Sequence, residues 1–187
     1  MQYTFFRILF FSVIIVNLIG CKKDVLPKPK AYLSLNYPEP KYTTFTKTCG
    51  FNFDYNVAGK VSENGNCNFI ITYPKLKATV YLNYKPVNKN LDLLLRDAQK
   101  LTYEHVIKAD GITEQPYANK ERKAYGMFYE VGGNAASQSQ FYLTDSTKHF
   151  LVGSVYFYAK PNFDSILPAA EYVKNDLRTL MESLKWK

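Results

Sequence analysis

The chain has 187 residues and carries 24 lysines and arginines against 16 aspartates and glutamates, a formal charge of +8. The basic residues are spread thin, with no run longer than the pairs Lys22-Lys23 and Arg122-Lys123, so the concentrated patch of a nucleic-acid binder is missing. Such a surface offers at most a weak attraction to anionic lipid heads or acidic envelope polymers.

The first segment, MQYTFFRILFFSVIIVNLIGC, places one basic residue, Arg7, ahead of the apolar run 8–16. That run suits the core of a signal peptide and is too short to cross a bilayer, which takes roughly 20 apolar residues. It ends in Leu18-Ile19-Gly20-Cys21, an aliphatic, a permissive and a small residue followed by cysteine. The pattern resembles the bacterial lipobox: the thiol takes a diacylglyceryl group, and the small residue lets the signal peptidase close on the bond. Cleavage after residue 20 removes Arg7 and no acidic residue, so the mature charge becomes +7. Cys21 is then the lipid-bearing first residue of a mature envelope protein. Lys22 follows it, where an inner-membrane retention signal would have aspartate, which favours the periplasmic leaflet of the outer membrane.

Residues 21–40 read as a lipidated tether, because Pro27, Pro29, Pro38 and Pro40 break helices and favour extended backbone. Extended, 21–30 reaches roughly 30 Å at about 3.1 Å per residue. Tyr32, Leu33 and Leu35 make 31–37 a segment that can already be ordered.

Residues 41–187 read as one domain. Phe51, Phe53, Tyr55 and Val57 alternate with Asn52, Asp54 and Asn56, the period of a half-buried strand. Residues 62–66 (SENGN) form a turn cluster, and 67–73 and 77–84 follow as strands. With Cys21 taken by lipid, Cys49 and Cys67 remain, and two thiols in an oxidising compartment pair. A loop of this size contributes roughly 3 kcal/mol in the chain-entropy model. A simple hairpin of the flanking strands would not bring the two together, so a less simple topology is expected there.

The stretch 91–105 changes to helical period, with Leu91, Leu94, Leu95, Ala98, Leu101 and Thr102 on one face. Asn90 is the expected N-cap and Gly111 the expected stop. Strands follow at 124–131, 138–145 and 149–159, joined by turns at Gly132-Gly133-Asn134 and at 145–148. Ile166, Ala170, Val173, Leu177, Leu180, Met181 and Leu184 predict a closing helix over 165–184, with Pro168 in its first turn. The order implies an α+β domain, a mostly antiparallel sheet covered by two amphipathic helices. It resembles the Mog1/PsbP-like sandwich, a likeness that carries no activity.

Chemistry is sparse. His105 and His149 stand outside any metal spacing and read as a helix-end cation and a strand-edge polar residue. No GxSxG elbow occurs, and Gly132-Gly133 lacks the Lys-Ser/Thr of a phosphate loop. No metal or cofactor motif is present. Glu104, Asp110, Glu114 and Glu130 could include an acid pair, but a glycosidase needs its carboxyls about 5–9.5 Å apart, which spacing along a chain does not supply. The 16 tyrosines and 13 phenylalanines fit strand faces; Tyr156 or Tyr158, exposed, could meet a sugar or a protein. The loop 134–139 (NAASQS) reads either as a mobile hairpin tip or as a partner-contact surface through Asn134, Ser137, Gln138 and Gln140.

Four stretches carry a wider resemblance: VLPKPKAYLSLNYPEPKY (25–42), LLRDAQKLTYEHVIKAD (94–110), YGMFYEVGGNAASQSQFYLTDSTKHFLVGSVYFYAKPNFDSILPA (125–169) and LMESLKW (180–186). Through them nearly the whole mature chain resembles the gliding-motility lipoprotein family GldD of Bacteroidetes. The resemblance implies a lipoprotein needed for gliding and linked to type IX secretion of adhesins. Its expected partners are other envelope proteins of that machinery, and the membrane through its lipid. It implies no catalytic residue and no small-molecule substrate; of the family's functional residues only the lipid-bearing cysteine carries over, onto Cys21. The rival readings are a binding module for an envelope polymer such as peptidoglycan, and an enzyme built on a carboxylate pair.

Overall fold

The computed structural model describes residues 37–47, 49–104, 109–158 and 163–187. Cys21, most of the tether and His105 lie outside them.

Among the described residues ten strands form two antiparallel sheets. The small one has the order β1 (Tyr42–Thr46), β2 (Phe51–Asn56), β10 (Lys185–Trp186). The large one runs β3 (Lys60–Glu63), β4 (Phe69–Tyr73), β5 (Ala78–Pro86), β9 (His149–Phe157), β8 (Ser139–Thr144), β7 (Ala124–Gly133), β6 (Ala109–Asn119). Two meanders, β3–β5 and β6–β9, meet where β5 pairs with β9 from Ala78 opposite Phe157 to Pro86 opposite His149. The α-helices among the described residues are α1 (Leu91–Tyr103) and α2 (Phe163–Ser183).

Period-2 alternation splits the large sheet into two faces. Phe69, Ile71, Val80, Leu82, Phe128, Phe141, Leu143, Leu151 and Val155 point to one side and are buried with Phe51 and Phe53 of β2 and with Val173, Leu177, Leu180, Met181 and Leu184 of α2. Leu94 and Ala98 of α1 cover part of the opposite face, over Phe150. The expected single sheet under two helices is thus corrected: α2 and a separate small sheet share one face of the large sheet, and α1 takes the other. The small sheet escaped the sequence because β1 (YTTFT) is almost wholly exposed and β10 has two residues.

Three local expectations also change. Asn90 does not cap α1 through its side chain; its Oδ1 accepts from the Asn88 N–H at 2.7 Å. Gly111 stops nothing, because it lies in β6, an edge strand whose residues are exposed or half-buried and whose sequence lacks apolar alternation. Pro116 is tolerated there because an edge strand has N–H groups outside the ladder. Pro168 falls in the second turn of α2, since that helix starts two residues before the expected point.

Cys49 and Cys67 form a disulfide, with Cα atoms 5.6 Å apart. The bridge links the entry of β2, in the small sheet, to the turn before β4, in the large one. The strands flanking the two cysteines belong to different sheets, which is how the pair meets without a hairpin. Tyr37 and Pro38, read as tether, are seated on the domain: Tyr37 stacks on Tyr172 with centroids 5.1 Å apart, and the Tyr172 hydroxyl donates to the Pro38 carbonyl at 3.0 Å.

Asp176 is a carboxylate placed inside the apolar stripe of α2, 2% exposed. It accepts from the Tyr42 hydroxyl at 2.8 Å and from Asn56 Nδ2 at 2.9 Å, tying α2 to β1 and β2. Burial raises its pKa, against the lowering effect of hydrogen bonds from Tyr42, Asn56 and Tyr73.

Candidate functional site

Two clefts among the described residues carry polar chemistry. The first lies between α2 and the paired ends of β6 and β7, holds about 370 Å³, and includes Asp110, Glu130, Val131, Gln138, Leu167, Ala170, Glu171 and Lys174 in its lining. Its shape follows from a β-bulge: Ala109 pairs with Gly133 and Gly111 with Gly132, leaving Asp110 as the extra residue. Gly133 makes room for it, since at φ +86° a Cβ there would lie 2.7 Å from the Asp110 nitrogen and 2.9 Å from its carboxylate.

Glu130, at the base of this cleft, accepts from Lys174 Nζ at 3.0 Å, Arg178 Nη2 at 2.9 Å and Gln115 Nε2 at 2.9 Å. Lys174 also pairs with Glu171 at 2.7 Å. Burial pushes the Glu130 carboxyl up, but Lys174, Arg178 and Gln115 together outweigh it and hold the pKa below its ordinary value. Asp110 and Glu130 therefore do share a cleft, as an acid pair would. A general acid, however, needs a raised pKa, and Glu130 is held ionised by its cations.

The NAASQS loop, read from the sequence as a mobile hairpin tip or a partner-contact surface, borders the same cleft with most of its side chains turned inward. Ser137, Gln138 and Gln140 are buried, as are Ala135 and Ser139; Asn134 and Ala136 are exposed. The Gln138 carbonyl accepts from the Val131 N–H at 2.9 Å, closing the hairpin. Ser137 Oγ donates to the Ser139 carbonyl at 3.2 Å, and Gln138 Nε2 to the Ala135 carbonyl at 2.7 Å. Gln140 Oε1 accepts from Thr102 Oγ1 of α1 at 3.3 Å. A polar loop turned inward in this way meets part of its hydrogen-bonding need from its own backbone and from α1, and leaves Gln138 Oε1 and Gln140 Nε2 without a partner, which composition does not reveal.

The second cleft, of about 520 Å³, is lined by Glu121, Arg122, Lys123, Asp145, Lys148, His149, Lys185, Trp186 and Lys187, among others. Five cations face two carboxylates. Two turns and the closing strand β10, far apart in sequence, supply the basic residues, so of this cluster only the Arg122-Lys123 pair is conspicuous in the chain. His149 stacks on Trp186 at 5.1 Å with the rings 8° from parallel, and shares a 2.8 Å hydrogen bond with the Tyr84 hydroxyl. Gly50 allows that stack, because a Cβ there would lie 2.9 Å from the imidazole. Asp145 accepts from the backbone N–H groups of Thr147, Lys148 and His149, at 3.0, 2.7 and 2.8 Å. Burial works against its charge, yet the Lys148, His149 and Thr147 bonds lower its pKa to about 2.

Tyr158 is 65% exposed and shares a 3.0 Å hydrogen bond with Tyr81, while Tyr156 is half-buried and packs edge-on against Tyr81 at 5.7 Å. Among the described residues no group of three or more His, Cys, Asp or Glu side chains could hold a metal ion, and no helix is long and apolar enough to cross a membrane.

The fold and its clefts define an α+β domain in which the central carboxylate is neutralised by cations and the polar chemistry lies in surface clefts. Residues 22–186 match the family model described as gliding motility lipoprotein GldD, and the chain belongs to that family. No curated protein matches it.

Proposed function

We propose that the protein is a non-enzymatic, lipid-anchored component of the gliding apparatus that supports type IX secretion of adhesins through protein contacts. Family membership across residues 22–186 carries the reading. Cys21 is the anchor, residues 1–20 the signal peptide, and the periplasmic leaflet of the outer membrane the expected location. The sheet with helices on both faces supports the Mog1/PsbP-like sandwich as its fold type. Deleting the gene should abolish colony spreading and adhesin export, and the wild-type gene should restore both. A Cys21→Ala copy should lose the acyl label and fail to restore them. Normal spreading by the deletion strain would reject the role.

A second reading, a module for an anionic envelope polymer such as peptidoglycan, is favoured by the basic cleft. Pro38, close to the first described residue, lies beside Pro74 and Tyr172, at the Ala78 end of β5. The cleft lies beyond the Pro86 end, where His149 pairs, so the nine residues of β5 separate the two by roughly 30 Å. Cosedimentation with purified sacculi tests it; protein that stays in the supernatant at low salt rejects it.

A further inference from the structure

We propose that the cleft between α2 and the β6–β7 bulge receives a lysine side chain of a partner protein. The assignment rests on the reading of the domain as a partner-binding module. Gln138 is 6% exposed and lines the cleft. Its Nε2 donates to the Ala135 carbonyl at 2.7 Å, which fixes the amide orientation, since the flipped amide would set oxygen against oxygen. Its Oε1 has no hydrogen-bond partner. A buried acceptor left open in this way costs roughly 1–3 kcal/mol, and a donor that enters the cleft and draws the Gln138 side chain, whose oxygen is closed to water, toward itself recovers it.

The charges select the donor. Glu130, Glu171 and Asp110 line the cleft, and Lys174 and Arg178 neutralise the first two at 2.7 to 3.0 Å. Asp110 is the carboxylate left over, held on the bulge against Gly133, so the group as a whole retains one negative charge. Val131, Leu167 and Ala170 give the cleft apolar wall. A ligand that suits all three features has an apolar stem, a positive tip and several donors. A lysine side chain has four methylenes and an ammonium with three N–H donors. Its stem lies along Val131, Leu167 and Ala170, and its ammonium meets Asp110 and Gln138 Oε1.

The test titrates the purified full lipoprotein in detergent micelles with an end-blocked peptide carrying one lysine, and with the same peptide acetylated at Nε. The lysine peptide should bind at least roughly ten-fold more tightly than the acetylated one, and Asp110→Asn should erase that difference. Asp110 is exposed, so this variant keeps its melting temperature; Gln138→Met provides a second reading, weakening the lysine peptide by roughly ten-fold. Equal affinity for the two peptides, no binding of either, or an unaffected Asp110→Asn variant would overturn the proposal. In cells, an Asp110→Asn strain that spreads normally, beside a deletion strain that does not, rejects the cleft and leaves the gliding role intact.

Discussion

Cys49 and Cys67, 5.6 Å apart at Cα, fasten the small sheet to the large one across a sequence separation of 18 residues. In the chain-entropy model a loop of that size stabilises the fold by roughly 3 kcal/mol. Replacing both cysteines with serine should lower the unfolding free energy by about that amount. Reductant should do the same to the wild type and nothing to the double variant. Denaturant titrations with and without dithiothreitol measure both, and a midpoint indifferent to reductant would show that Phe51 and Phe53 hold the small sheet without the bridge.

Glu130 joins three elements, because Gln115 of β6 and Lys174 and Arg178 of α2 all donate to it. The Arg178 guanidinium also sits 4.3 Å over the Phe128 ring. Glu130→Ala leaves two half-buried cations facing each other, and should cost about 1–3 kcal/mol, read as a lower melting temperature. Glu130→Gln keeps the shape and loses the charge, so its loss should be smaller. Equal losses would mean that charge, not shape, matters at this position.

Acid should act on the protein in opposite directions at two aspartates. The folded pKa of Asp145 is about 2, below its ordinary 3.8, so its stabilisation is present above 3.8 and fades as pH falls toward 2. The folded pKa of Asp176 is raised, so its contribution is fullest below 3.8 and fades as pH rises through the folded value. Asp145→Asn should flatten the acid limb of a stability–pH curve, and Asp176→Asn should remove the decline on the neutral side. A curve unchanged by either variant contradicts the corresponding assignment.

The strands legible in the sequence were those with a buried partner on one side. Phe51, Phe53 and Tyr55 alternate cleanly because β2 faces the core, and α2 announces itself through the stripe from Ile166 to Leu184. The strands β1, β6 and β10 left little trace, since edge strands need no apolar alternation: β6 carries Glu114, Pro116 and a bulge. Site geometry was less legible still. The sequence offered Asp110, Glu130 and Gln138 separately, and a register shift opposite two glycines brings them to one cleft. Arg122, Lys148 and Lys187 meet only because β10 closes the small sheet beside two turns of the large one. Asp176 did carry a signal, a carboxylate inside an apolar stripe.

The basic cleft predicts a charge-dependent contact. Lys148→Glu with Lys187→Glu should weaken cosedimentation with sacculi, and raising salt should weaken the wild type more than the variant, because fewer charge contacts remain to be screened. Trp186→Ala removes the stack with His149 while keeping the charges, and so separates aromatic from electrostatic binding. Unaltered cosedimentation by the charge-reversed protein would count against the cleft as the contact.

Gly132 and Gly133 are neighbours with opposite tolerances. A Cβ on Gly132 would meet nothing closer than the Gly111 carbonyl at 3.8 Å, whereas one on Gly133 would collide with Asp110 and would have to accept a φ of +86°. Gly132→Ala should therefore be neutral or slightly stabilising, because alanine loses less backbone freedom on folding than glycine. Gly133→Ala should cost roughly 1–3 kcal/mol, the usual range for a strained backbone position, and should also push the Asp110 carboxylate off its seat. Melting temperatures read the first effect and lysine-peptide affinity the second. If the cleft works as proposed, Gly133→Ala loses peptide affinity under conditions where it is still fully folded, and Gly132→Ala keeps it; loss in both, or in neither, would detach the bulge from binding.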